Sequence, residues 1–394
     1  MSEQKLDMPK TYDPQSVESR LYEKWESEGL FKPAEHKPEG SKPFCIVMPP
    51  PNITGQLHMG HAMDNTMPDI LVRYHRMLGD DTLWLPGTDH ASIATEVKVV
   101  EQMAKEEEQA RGIKLNLNMA DGRGSQAAQN EQVDRFLAQG YDVICVNIVD
   151  RTAAAVIIDK AQAAGVPVIF FNREPVEEDL MRWEGAYYVG LDGAQSGLLQ
   201  GGIVLDAWRQ DPEALDRSGD GVLQYVMLEG EPGHQDALLR TENSLKVLAQ
   251  AGVPTEKLAS DTANWQRGQA TTKMTQWLEQ FDGGIEAVFC NNDDMALGAI
   301  DACFAAGLSE EELPFIVGVD ATPPALEAVE AGTLKGTVQN DAAGQARAML
   351  ELACALAGGT APGDAVELTD GKYVWLPYTT VTKENLEAFL PPAS

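Results

Sequence analysis

The densest set of chemistry-bearing side chains in this sequence is the oxygen-rich loop Asp216-Arg-Ser-Gly-Asp-Gly-Val-Leu-Gln224. Asp216, Ser218 and Asp220 fall at positions 1, 3 and 5 of a calcium-type loop, Gly221 takes the turn at position 6, Val222 can offer its carbonyl at 7, and Gln224 stands at 9. Met227 occupies position 12, where an acid would close the shell, so a remote carboxylate is needed to complete it. A second group, His58-Met59-Gly60-His61, sets two imidazoles around a glycine at the start of a helical pattern. At a helix N-terminus such a pair can stabilise charge on a phosphate. No Ser/His/Asp or Cys/His grouping is visible, so no nucleophile or general base is assigned. Cys45, Cys145, Cys290, Cys303 and Cys354 stand singly among apolar neighbours without metal-ligand spacing, and read as buried free thiols.

The elements that must position these groups follow from the hydrophobic rhythm. Phe44 opens a short apolar run, a Pro/Gly-rich loop follows, and residues 57 to 77 read as a helix. Thr82 to Leu85 reads as a strand, Pro86 to His90 as a loop, Ala91 to Ala110 as a helix and Ile113 to Met119 as a further strand. Beyond, Val143 to Ile148, Val168 to Phe171, Tyr188 to Gly190, Leu223 to Leu228, Ala287 to Cys290 and Phe315 to Val319 alternate with helical segments. Strands alternating with helices imply an α/β fold with parallel sheets covered on both faces, whose ligands sit at the carboxyl ends of strands. At 394 residues the chain can build two or three domains. No apolar stretch is long enough to span a membrane, so a soluble chain is expected. The N-terminus shows no secretory signal, so the chain as written is expected to stay in the cytoplasm. Thirty basic against 61 acidic residues give a net charge of −31, which repels phosphate backbones, and no nucleic-acid partner is expected.

From Lys114 the chain resembles the periplasmic galactose/glucose-binding proteins of bacterial ABC transport and chemotaxis. The segments that carry the resemblance include NEQVDRFLAQGYDVICVNIVD, VPVIFFNREPVEED, YYVGLDGAQSG, GEPGHQDALLR, DTANW, NNDDMALGAI, GVDATPPALEAV and GTVQND. It implies a two-lobed periplasmic-binding-protein type I fold, two Rossmann-like sheets joined by a three-strand hinge, closing as a monomer on one hexose. A hexose needs planar donors and acceptors for its hydroxyls and a flat apolar surface for its C–H faces. Carried over by motif, the polar groups are Asn172, His234, Asp236, Arg240, Asn292, Asp320 and Asn340, with Trp265 stacking on one sugar face. Each alone reads equally as a turn or cap residue; together, after successive strands, they describe a site. The resemblance also supplies the remote acid of the structural calcium loop, Glu286 in GGIEAVF, and implies an ABC permease and a chemoreceptor as partners.

Residues 8 to 105 resemble valine-tRNA ligase, a class I aminoacyl-tRNA synthetase, through PPPNITGQLHMGHAMDNT and LWLPGTDHASIATE. That resemblance implies a partial synthetase Rossmann fragment in which His58, Gly60 and His61 face ATP and Asp89 holds the amino group of valine. The editing and anticodon domains and the Lys-Met-Ser-Lys-Ser loop are missing, and Thr272 to Thr275 only faintly resemble that loop within a helical segment. No aminoacylation is expected; ATP or valine binding by the fragment is the alternative reading. The chain therefore looks like a chimera: residues 1–80 a truncated fragment, 81–190 plus 341–376 one lobe, and 191–340 plus 377–394 the other. On this division the strand Thr82 to Leu85 and its helix replace the family's first strand and helix, Asp89 falls near a sugar-binding acid, and Ala91 replaces the aromatic that covers the second sugar face. Loss of one aromatic face lowers affinity several-fold.

Overall fold

The structure is a computed structural model that describes residues 20–22, 24, 25, 27, 40–47, 59–85, 112 and 114–390, without the side chains of 59–64 and 85. It divides into two compact units, Met1–Met119 and Ala120–Ser394.

In the first unit, β1 (Pro43–Val47) and β2 (Asp81–Leu85) form a parallel pair, Pro43 opposite Asp81 and Val47 opposite Leu85, with the Met59–Met77 helix between them in sequence. Both strands are short apolar runs, and parallel neighbours need such a crossover. His75 stacks on Phe44 with ring centroids 3.6 Å apart and meets Asp80 at 2.7 Å. That hydrogen bond holds the Asp80 carboxyl below its ordinary range. This pairing corrects one expectation: Asp81–Leu85 is hydrogen-bonded to Pro43–Val47 and is not a member of the sheets of the second unit. The strand expected at Ile113 to Met119 is also absent across Lys114–Met119, where Leu117 and Met119 are exposed and have no buried face to line. The loop at 86–90 and the helix at 91–110 lie outside the described residues.

The second unit holds two four-stranded parallel sheets. In the first, β3 (Ile144–Val146), β4 (Val168–Phe171), β5 (Ala186–Leu191) and β11 (Tyr373–Leu376) lie in the order β11-β5-β4-β3; in the second, β6 (Leu223–Glu229), β7 (Thr255–Thr262), β8 (Ala287–Cys290) and β9 (Phe315–Val317) lie in the order β7-β6-β8-β9. An antiparallel ribbon of β10 (Thr337–Gln339) and β12 (Thr379–Val381) adjoins β9 through the bridges Val317 to Gly336 and Asp320 to Gln339. β5 reads AYYVGL and is buried throughout, as a strand covered on both faces must be. Hydrophobic clusters flank both sheets: Phe170, Ile157 and Tyr188 on one face of the first, Ile169 and Leu352 on the other; Phe289 and Leu223 on one face of the second, Val288 and Met274 on the other.

The chain passes between the sheets three times: after β5, between β10 and the Ala342–Ala357 helix that packs on the first sheet, and between β11 and β12. Cys290 and Cys303 are buried, Cys354 is half-buried, and Cys45 and Cys145 are exposed, so the buried-thiol reading holds for only part of the set. Cys145 lies on the edge strand β3, between the inward Ile144 and Val146, and points away from their core. Among the described residues no helix is long and apolar enough to cross a membrane.

Candidate functional site

The carboxyl ends of β4, β6, β8 and β9 deliver the polar residues that the sequence singled out. Arg240 is the hub. It lies on the Gln235–Gln250 helix, 4% exposed, and its guanidinium donates to the Asn291 carbonyl at 2.7 Å and to the Tyr378 hydroxyl at 3.2 Å. Asp236, one turn earlier, stands 3.5 Å away, and Asp320, from the turn after β9, 3.8 Å. Its Nε is buried and has no hydrogen-bond partner among the described residues. A buried guanidinium N–H with no acceptor is costly, and a ligand hydroxyl is the kind of group that satisfies it.

Trp265 builds the flat surface. Asn264 and Trp265 both adopt positive φ, 50° and 65°, which turns the indole onto Gly230; a Cβ there would come within 2.2 Å of the ring, so only glycine permits this approach. His234 meets the indole edge-on at 5.1 Å between centroids, and Arg240 lies 5.9 Å from the ring centroid. His234 caps its helix, its Nδ1 accepting the Asp236 N–H at 3.2 Å. Burial lowers its pKa against the pull of Asp236, and with Nδ1 accepting, Nε2 is the ring nitrogen left to donate.

Asn292 caps the Asp293–Ala305 helix, accepting from Met295 N–H at 3.1 Å while its Nδ2 donates to the Trp265 carbonyl at 3.3 Å. For Asn292 and His234, helix capping and site membership are the same geometry. Asn340 places Nδ2 3.5 Å from Asp320 Oδ1 and accepts from Gln345 at 2.8 Å. Asp320, whose φ is 123°, is pushed up to about 6 by burial, opposed by Arg240 and Asn340. Seven of the eight predicted residues thus form one connected group. Asn172 follows β4 in the first sheet and has no hydrogen bond or ion pair to that group among the described residues: its φ is 60°, its carbonyl accepts the Tyr188 hydroxyl at 2.8 Å, and its side-chain amide has no protein partner among them.

Sequence reasoning missed what surrounds this set. Arg173 bridges to Glu231 at 2.8 Å and Gln235 donates to Glu174 at 2.9 Å, tying the end of β4 to the end of β6 across the two sheets. Tyr378, in the third passage, has its N–H held by Gln195 at 3.1 Å and its hydroxyl against Arg240. Arg173 and Glu174 follow Asn172 directly, so the strand-end rule could have found them; Tyr378 carried no such signal. A separate groove of about 520 Å³, lined by Asp192, Gln195, Leu198 and Trp375–Pro377, contains none of the predicted residues.

The loop from Asp216 to Gln224 closes on itself. Asp216 Oδ1 accepts from Ser218 Oγ (3.1 Å) and the N–H groups of Gly219 (2.7 Å) and Asp220 (3.1 Å), and Oδ2 accepts from Gly221 (2.7 Å). Burial raises its carboxyl, but these bonds, Gly221's first, outweigh it and hold the group below its ordinary range. Asp220 accepts from Val222 N–H and Gln224 Nε2. Glu286, 2% exposed, receives Ser218 N–H on one oxygen and Gln224 N–H on the other, both at 2.9 Å, so the remote acid does meet the loop. Gly219 and Gly221 take the positive φ values of 72° and 80°. The donors are all oxygen, which suits a hard cation. Yet among the described residues no three acidic, His or Cys side chains converge on one metal-sized point.

His58 and Asp89 lie outside the described residues; Gly60 and His61 fall in the Met59–Met77 helix, their side chains undescribed. Thr272 to Thr275 lie inside the Arg267–Phe281 helix, with Met274 fully buried and Lys273 paired to Asp261, so they form no nucleotide loop.

Two families of known proteins match the chain, overlapping at residues 83–122. The periplasmic binding protein domain family matches residues 83–361, and the class I tRNA synthetases for Ile, Leu, Met and Val match 20–122. The chain is 42% identical over 292 residues to the D-galactose/methyl-galactoside binding periplasmic protein MglB of Haemophilus influenzae, covering 73% of this chain and 86% of that one. It is 62% identical over 101 residues to the valine–tRNA ligase of Carboxydothermus hydrogenoformans, 26% of this chain but 11% of the ligase. An ABC transporter periplasmic solute binding protein of Actinobacillus succinogenes, solved with bound D-allose, superposes with a TM-score of 0.62 at 25% identity, over 74% of this chain and 95% of that one.

Proposed function

The chain belongs to the periplasmic binding protein family, and from that premise we propose that it holds one hexose, galactose or glucose, between its two sheets as the receptor component of an ABC transport system. The observation that carries this reading is the arrangement at Arg240. A buried guanidinium with an unpartnered Nε is flanked by two carboxylates and lies near an indole face. Charged groups fix ring hydroxyls by geometry, and the indole covers an apolar face. The named ligands of its relatives, galactosides and allose, are chemically of this class.

Isothermal titration with galactose and with glucose tests the reading. Saturable heat for either sugar supports it, and no heat for either at millimolar concentration discards it. An ABC permease and a chemoreceptor are the proposed partners, and the periplasm the proposed compartment of the receptor unit.

A calcium ion, bound through Asp216, Ser218, Asp220, the Val222 carbonyl, Gln224 and Glu286, is the proposed stabiliser of the loop beneath β6. The ion would supply charge neutralisation to three carboxylates that are otherwise held through N–H groups and the Ser218 hydroxyl. For the N-terminal unit we propose no amino-acid activation, because it spans about a tenth of the ligase it matches. ATP/pyrophosphate exchange with valine above background would overturn that.

A further inference from the structure

Beneath the sugar site lies a carboxyl group that none of this uses. Asp293, first residue of the Asp293–Ala305 helix, is wholly buried, and no basic side chain pairs with it among the described residues. Its contacts run to the turn Gly318–Thr322, between β9 and the Pro323–Ala331 helix, and to Thr337 at the start of β10. Oδ2 accepts the Thr322 N–H at 2.8 Å and lies 3.4 Å from the Thr322 hydroxyl. Oδ1 lies 2.6 Å from the Thr337 hydroxyl, and that hydroxyl oxygen accepts the Ala321 N–H at 3.3 Å. The Asp293 N–H donates to the Val319 carbonyl at 2.8 Å. Gly318 completes the fit, since a Cβ there would come within 2.3 Å of Oδ1.

The turn so gripped needs gripping. It holds Asp320 at φ 123° and Ala321 at φ 56°, conformations that side-chain-bearing residues keep only where their surroundings impose them. The same turn presents the Asp320 carboxylate to Arg240 and Asn340.

We infer that Asp293 is the positioning residue of the sugar site: through Thr322 and Thr337 its buried carboxyl fixes the turn that aims Asp320 at the ligand. The consequence for sugar rests on the hexose reading; the hold on the turn does not. Burial raises the Asp293 pKa well above its ordinary value, with Asp320 adding to it. The Thr337 hydroxyl donates to Oδ1 and the Thr322 N–H to Oδ2. An asparagine keeps both contacts, its oxygen accepting from Thr322 and its NH2 donating to the Thr337 oxygen once that hydroxyl proton turns away.

The test compares Asp293→Ala, Asp293→Asn, Thr337→Val and Thr337→Ser in the full chain, reading hexose affinity by titration and amide exchange at Ala321 and Thr322. Asp293→Ala and Thr337→Val are expected to weaken affinity about tenfold or more and to speed exchange at both amides. Asp293→Asn and Thr337→Ser should stay within about threefold of the parent. Thr337→Val is close to isosteric, so it decides the matter where Asp293→Ala fails to fold. Unchanged affinity and exchange in either hydrogen-bond-deleting variant overturns the inference, as does an Asp293→Asn loss as large as that of Asp293→Ala. If the parent chain takes up no hexose, the sugar reading falls by itself, and the exchange comparison still decides the role of Asp293.

Discussion

Replacing Arg240 by methionine removes a buried charge while keeping the length of the side chain. Two neutral acceptors, the Asn291 carbonyl and the Tyr378 hydroxyl, lose their donor, and Asp236 and Asp320 lose the cation between them. Breaking a buried ion pair from one side costs about 3–5 kcal/mol of stability. Asp236 and Asp320 are partly exposed, at 20% and 27%, so water recovers part of that and the lower end applies. The ligand loses a charge-assisted hydrogen bond at Nε, worth about 1.5–3 kcal/mol, which corresponds to roughly a ten- to hundredfold rise in Kd. Arg240→Lys keeps the charge but loses the fork, and should fall between parent and Arg240→Met. Calorimetric titration with galactose and glucose, alongside thermal unfolding, reads both effects. A folded Arg240→Met that binds either sugar within threefold of the parent would refute the reasoning, because the orphaned Nε would then not face the ligand.

Three further outcomes follow from the same geometry. Asp320 is pushed up to about 6 from 3.8, burial first among the causes; the folded chain therefore binds more protons than the unfolded one between these values, and this group lowers stability as pH rises from about 4 to about 6. If sugar hydroxyls prefer the carboxylate, affinity is level above about pH 6 and weakens below it, by at most tenfold per pH unit; a pH series of titrations showing no such break, or the same break in Asp320→Asn, contradicts this. Arg173→Ala removes a partly exposed bridge between the sheets, worth about 0.2–1 kcal/mol, so Kd should rise less than about sixfold and the difference from the parent should shrink in high salt. Calcium in hundredfold excess over its Kd should stabilise the chain by about 2.7 kcal/mol, and Glu286→Gln should abolish the thermal shift; an equal shift in that variant would place the ion elsewhere.

The site was legible to the degree that its residues obey the strand-end rule. Asn172, Asn292 and Asp320 each follow an apolar run by one to three positions, and a parallel sheet must bring such positions to one edge. The grip of Glu286 on the calcium-type loop was legible through a family pattern, since 62 residues separate it from Gln224. Asp293 was hidden because a buried acid and a capping acid look alike in sequence; only the positions of Thr322 and Thr337 separate them. The N-terminal elements misled for a different reason. Thr82 to Leu85 has the pattern of any short parallel strand, and apolar pattern alone does not choose a partner; the run at Pro43–Val47 lies closer in sequence than β3 and closes the shorter loop.

The proposed ligand contacts reach the third passage between the sheets. The guanidinium that faces the proposed sugar also donates to Tyr378, whose N–H is fixed by Gln195 at the start of the helix that follows the first passage between sheets. Tyr378 packs with Phe289 and Leu223 in the core of the second sheet, so both bonds fasten the third passage to that sheet. Among the described residues the contacts across the sheets are modest, one ion pair and one amide–carboxylate bond at partly exposed positions. In a receptor of the proposed kind, so few contacts leave the ligand to stabilise a closed arrangement, and only by the difference in its affinity for the two arrangements.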